Sequence, residues 1–208
     1  MSKVKNQNLN LKRVLIGVTG ASGSVYADRL LEILTASVER VYLVFTDSGL
    51  KVANHELSKG SALLRVLSGD LSKKEKEIIR VFSNEDLFAP CASGTAAPDA
   101  MVIVPCSMGS LARVAAGISG NLLERSADVM LKQRRKLLIC PRETPLNLIH
   151  LRNMTSLVEA GAEMIPMMPG FYQKPKYLDE VVDFCVGKIL EQLGLPHDLY
   201  RPWNSRMR

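Results

Sequence analysis

Arg13-Val14-Leu15-Ile16-Gly17-Val18, followed by Thr19-Gly20-Ala21-Ser22-Gly23, is the stretch on which the fold turns. A short apolar run rich in branched side chains stops at a Gly/Ser turn and leads into the helical pattern of Val25 to Leu34. It reads as strand, tight turn, helix. Outward from it, further apolar strands are expected at Arg40 to Thr46, Ala100 to Pro105 and Lys136 to Pro141. Helical stretches alternate with them at Ser48 to Leu57, Gly109 to Ala116, Leu122 to Gln133 and Pro145 to Ala160, and an amphipathic helix follows at Tyr177 to Leu193. Strands that are apolar throughout suit a parallel sheet covered on both faces, so the expected class is α/β, a doubly wound parallel sheet. Residues 58–99 are less regular: Lys73-Lys74-Glu75-Lys76-Glu77 reads as a solvated charge run and Ala89 to Gly94 as turns.

The chain has 208 residues, 47% of them hydrophobic, which is enough for one sizeable core. A single domain over 1–208 is expected, with an ordered core from about 12 to 195 and a tail over 196–208. No apolar run reaches about 18 residues, and Met1 to Lys12 is polar and basic, so a cytoplasmic protein without a membrane partner is expected. Cys91, Cys106, Cys140 and Cys185 are far apart and do not cluster with His55, His150 or His197, which speaks against disulfides and a metal site. The charge of +6 comes with only 5% aromatics and no nucleic-acid motif, so anionic small molecules, phosphates above all, are the better partners.

In open α/β sheets ligands bind beyond the carboxyl ends of the strands, where helix starts offer N–H groups to anions. Thr19 to Gly23 fits that place: Gly20 and Gly23 permit a tight backbone, and Thr19 and Ser22 add hydroxyls. An ordinary turn with a Ser or Thr helix cap fits as well, and the strict GxGxxG spacing is absent. Pro105-Cys106-Ser107-Met108-Gly109-Ser110 is a second small-residue turn opening a helix, in which Cys106 reads as a buried hydrophobe rather than a nucleophile. Arg142-Glu143 stands after the next strand: Arg142 can neutralise a phosphate or a flavin edge and Glu143 can move a proton, the alternative being a mutual ion pair. Arg125 and Lys132 are seven positions apart and share a helix face, with Arg134, Arg135 and Lys136 just beyond.

These motifs form an ordered set. Thr19 to Gly23, Ala92-Ser93-Gly94, Pro105-Cys106-Ser107, Glu124 to Val129, Leu131 to Arg135, Pro141 to Pro145 and Pro169-Gly170-Phe171-Tyr172 occur in the order seen in the UbiX/Pad1 flavin prenyltransferases, which the chain resembles from about residue 12 to 204. The resemblance implies a flavodoxin-like (Rossmann-like) fold and an enzyme that joins a dimethylallyl group from dimethylallyl phosphate to N5 and C6 of reduced FMN. FMN is then substrate as well as cofactor, and the prenylated FMN serves UbiD-type decarboxylases. It also implies a homododecamer with sites between subunits and no metal. By position it assigns Gly20, Ala21, Ser22, Thr46, Ser107, Met108, Gly109, Ser110 and Arg142 to FMN, and Arg125, Lys132, Tyr172 and Lys188 to the prenyl phosphate. Ser22, Glu56, Glu143 and Lys132 become the catalytic candidates, Lys132 for the leaving anion and Ser22 and Glu143 for proton relay. Two positions depart from relatives: Lys188 stands where many have arginine, and Leu87 where some have an aromatic. The alternatives are an FMN-dependent cysteine decarboxylase, for which His55 is the candidate histidine in the first half of the chain, and a non-catalytic flavin carrier.

Overall fold

The computed structural model describes residues 11–201. Its centre is a six-stranded parallel sheet of β1 (Arg13–Val18), β2 (Arg40–Phe45), β3 (Ile79–Phe82), β4 (Ala100–Cys106), β5 (Lys136–Pro141) and β6 (Glu163–Met164), in the order β3-β2-β1-β4-β5-β6. The helices are α1 (Ser24–Ser37), α2 (Asp47–Glu56), α3 (Ala62–Ser68), α4 (Lys73–Ile78), α5 (Met108–Ala115), α6 (Leu122–Lys132), α7 (Leu148–Glu159) and α8 (Leu178–Leu193). This is the doubly wound, flavodoxin-like architecture expected. The chain reverses its winding direction between β1 and β4, which places a crevice at the carboxyl ends of those strands.

The strand alternation explains why the sequence runs apolar without a break. Val14, Ile16 and Val18 of β1 and Val102 and Val104 of β4 join a core with Leu30, Leu31 and Leu34 of α1 and Val186, Ile189 and Leu190 of α8. Leu15, Met101 and Ile103 face the other way, onto Leu111 of α5 and Leu122, Leu123 and Met130 of α6. Each such fully buried aliphatic side chain contributes about 1.5–3 kcal/mol relative to exposure.

Elements beyond the expected ones are short. The charge run 73–77 belongs to α4, which a capping box between Ser72 and Glu75 starts. β3 is a four-residue edge strand and β6 has two residues. The first ten residues and 202–208, including the tail end near Trp203, lie outside the described residues. Among the described residues no helix is long and apolar enough to cross a membrane.

Candidate active site

Thr19 locks the two central strands together. Its Oγ1 donates to the Pro105 carbonyl (2.8 Å) and accepts from the Ser107 N–H (2.8 Å), and the residue is fully buried. The hydroxyl expected to face a ligand is thus spent inside the fold, where it satisfies two backbone groups at the end of β4 from the end of β1.

The turn then passes Gly20, where any Cβ would run into the Ser48 side chain at the start of α2. Gly23 takes φ 115 and ψ 27, a left-handed conformation that favours glycine, and makes no side-chain cap for α1. Glu56, at the far end of α2, does that work: its Oε2 accepts from the N–H groups of Gly23 and Ser24, both at 2.9 Å. Burial acts to raise the Glu56 carboxyl, but the Ser22 hydroxyl and the two N–H groups outweigh it and hold it below the ordinary carboxylate range. A group shifted down contributes stability that is present above the ordinary carboxylate range and lost as pH falls through the lowered value. Melting temperatures of the wild type and Glu56→Gln should therefore differ near neutrality and converge in acid. Parallel curves over the whole range would show that no carboxylate charge is held there.

Two helix starts flank the turn. Thr46 caps α2, its Oγ1 accepting from the Gly49 N–H (3.0 Å) and lying 3.1 Å from Ser48 Oγ. Ser107 caps α5, accepting from the Ser110 N–H (3.3 Å) and donating to Ser110 Oγ (3.1 Å). Met108 is buried beneath this start, while a Cβ at Gly109 would meet nothing within 4 Å, so the first turn of α5 is open to an approaching anion. From the end of β5, Arg142 reaches across and its Nε donates to the Ser22 carbonyl (3.0 Å). Glu143 is exposed and its Oε1 accepts from the Thr144 N–H (2.9 Å). Neither contact is to the other residue, so the mutual ion pair is not formed.

Tyr26 belongs to this region although the sequence reading did not single it out. Its ring lies under Gly23, where a Cβ would stand 3.0 Å from Cδ2. Burial first, then the neighbouring Cys185 of α8, pushes its phenol up to about 12, with the Arg142 charge pulling the other way. Only its place in the first turn of α1, three residues past Gly23, hinted at it. Cys106 is fully buried and burial pushes its thiol up to about 12, as suits a small core residue and not a nucleophile.

The remaining candidates lie elsewhere. Arg125 Nη1 pairs with Asp128 (2.7 Å) and its Nε donates to the Ala92 carbonyl (3.2 Å). Lys132 is exposed at the end of α6, four positions before Lys136, which stands opposite Ala100 at the starting edge of the sheet. One chain therefore does not bring Lys132 to Ser22, which lies beyond the opposite edge. Tyr172 packs edge-on against Phe184 of α8 (5.7 Å), and Lys188 lies one turn past Cys185, paired with Glu191 (2.9 Å). Leu87 is exposed, and the ring on that surface is the fully exposed Phe88.

Known proteins with this chain's pattern point one way. The model of the Flavoprotein family matches residues 2–192. The flavin prenyltransferase UbiX of Halalkalibacterium halodurans is 46% identical over 91% of this chain and 92% of its own. Among solved structures, AnUbiX (PadA1) in complex with FMN and dimethylallyl pyrophosphate is 33% identical with a TM-score of 0.82, covering 94% of this chain and 98% of its own. A dodecameric FMN-dependent UbiX-like decarboxylase from Escherichia coli O157:H7 is 34% identical with a TM-score of 0.83, covering 93% of this chain and 100% of its own.

Proposed function

Since the chain belongs to the Flavoprotein family and, within it, to the UbiX flavin prenyltransferases, we propose that it joins a dimethylallyl group from dimethylallyl phosphate to N5 and C6 of reduced FMN, with loss of phosphate. The observation that carries this reading is the convergence of Ser22, Glu56 and Arg142 between the capped starts of α2 and α5. The residues present fit FMN. Two helix starts with hydroxyl caps suit its phosphate, the open ground at Gly109 admits it, and Arg142 supplies a fixed positive charge beside the turn.

When bound, reduced FMN supplies N5 as the nucleophile and C6 as the carbon that closes the new ring. The protein's part begins with holding it: Gly20, Ala21 and Ser22 line one side, Thr46 and Ser107 to Ser110 take the phosphate end, and Arg142 holds the charged edge. Breaking the allylic C–O bond leaves cation character on the prenyl group and a negative phosphate, which Lys132, Arg125, Lys188 and the Tyr172 hydroxyl are assigned to stabilise. Protons released as the flavin regains aromaticity pass to Ser22, held by Glu56, and to Glu143. The distance of Lys132 from the Ser22 turn within one chain supports a site shared with a second copy, as does the dodecamer of the E. coli neighbour. A UbiD-type decarboxylase is the proposed recipient of the product, and the cytoplasm the proposed compartment.

His55 is exposed on α2, while the next residue, Glu56, is the one that reaches the Ser22 turn, which favours this reading over a cysteine decarboxylase. Incubation with reduced FMN and dimethylallyl phosphate without oxygen should convert the bound flavin to a species heavier by one prenyl group, read by mass spectrometry. Flavin that binds and never gains that mass would overturn this reading and leave the decarboxylase and carrier readings.

A further inference from the structure

Lys188 is held by three side chains that the transfer chemistry itself does not require. Its Nζ is 2.9 Å from Glu191 Oε2, 4.9 Å from the centre of the Tyr200 ring and 5.6 Å from that of Phe184. The second carboxylate oxygen of Glu191 accepts from the Tyr200 hydroxyl, and His197 Nε2 lies 3.9 Å from the same oxygen. Gly187 makes this possible, since any Cβ there would meet the rings of Tyr200 and His197. The segment after α8 thus folds back over the helix and lays a phenol on the ammonium.

This network does little for stability. Lys188 and Glu191 are each about two-fifths exposed and form an i, i+3 pair on a helix surface, a class of contact with a small net contribution. Its effect is on position. A lysine head is a compact charge on a flexible stem, without the planar fork that lets arginine grip a phosphate at two points, so it loses more freedom for each hydrogen bond it makes. Here that loss is met before any ligand arrives. Glu191 takes one of the ammonium's three N–H donors and the Tyr200 ring lies over it, which leaves N–H donors for a phosphate oxygen. Because Tyr200 fixes the other carboxylate oxygen, Glu191 cannot swing toward an incoming anion.

We propose that Glu191 is a positioning residue that stations the Lys188 ammonium for the phosphate of the prenyl donor, with Tyr200 fixing Glu191 in turn. The proposal rests on the reading that Lys188 binds that phosphate.

Steady-state kinetics of the full chain with reduced FMN and dimethylallyl phosphate test it. Glu191→Gln should raise the donor KM by roughly threefold to tenfold, with kcat, FMN affinity and melting temperature nearly unchanged. Adding Lys188→Arg to Glu191→Gln should restore the donor KM, because a guanidinium fork needs no such station. Tyr200→Phe, which keeps the ring and removes the hydroxyl, should raise the donor KM in the same sense by less, and it serves if Glu191→Gln folds poorly. A donor KM that stays level or falls in both variants overturns the proposal, a fall meaning that the carboxylate competes with the phosphate. Lys188→Ala separates the two layers. If it leaves the donor KM unchanged, the assignment of Lys188 to phosphate fails and the proposal with it. If it raises the donor KM while Glu191→Gln does not, only the positioning role fails.

Discussion

Glu143→Gln should keep FMN bound and slow formation of the prenylated flavin by about 100-fold or more, the scale on which a general acid or base contributes. The substitution is nearly isosteric, and glutamine can still accept the Thr144 N–H through its amide oxygen, so the backbone after β5 has no reason to move. Arg142, its neighbour, keeps its own ties, with its N–H donating to the Cys106 carbonyl (3.2 Å) and its Nε to the Ser22 carbonyl. What is lost is a carboxylate able to take a proton, so the effect belongs in kcat. Anaerobic turnover followed by mass spectrometry, beside an FMN titration, reads both quantities. Turnover equal to the wild type would remove Glu143 from the chemistry.

The second large effect is structural. Thr19→Val keeps shape and volume but removes the hydroxyl that joins the ends of β1 and β4, leaving the Ser107 N–H without its acceptor and the Pro105 carbonyl without one of its donors. Unmaking hydrogen bonds to buried groups costs about 1–3 kcal/mol for each group left unpaired, so a loss of about 2–4 kcal/mol is expected, read by urea unfolding. FMN affinity should fall as well, since Ser107 caps α5 from the residue whose N–H is set adrift. Thr19→Ser, which keeps the hydroxyl, should recover most of both. Equal stability of Val and Thr at this position would mean that water takes over the two bonds.

These expectations differ in how far they were visible in the sequence. β1, β2, β4 and β5 were legible because their residues face two cores in turn, which leaves no polar interruption. β3 was not, since as an edge strand it exposes Arg80 and Val81 and loses that signal. The charge run at 73–77 masked a helix whose start was nonetheless written in Ser72 and Glu75. At the site, Ser22 and Arg142 could be placed because each follows an apolar strand. Glu56 could be paired with the turn only through the family pattern, because 32 to 33 positions separate it from the N–H groups it accepts from. Thr19 was misjudged for a related reason: nothing in its own neighbourhood shows that Pro105 and Ser107 claim its hydroxyl. Tyr26 and the hold of Glu191 and Tyr200 on Lys188 depend on how α8 and the segment after it lie against α1, which local periodicity does not encode.

The carboxylate of Glu56 at the head of α1 also bears on which nucleotides the protein turns away. In doubly wound sheets the first helix start is where the pyrophosphate of a nicotinamide or adenine dinucleotide rests. Here that position already holds a negative charge supplied by the chain, fixed by two N–H groups and tilted toward ionisation. A pyrophosphate arriving there would meet like charge and find its donors taken. By one glutamate, the seat that this fold elsewhere gives to a pyrophosphate is filled from within the chain.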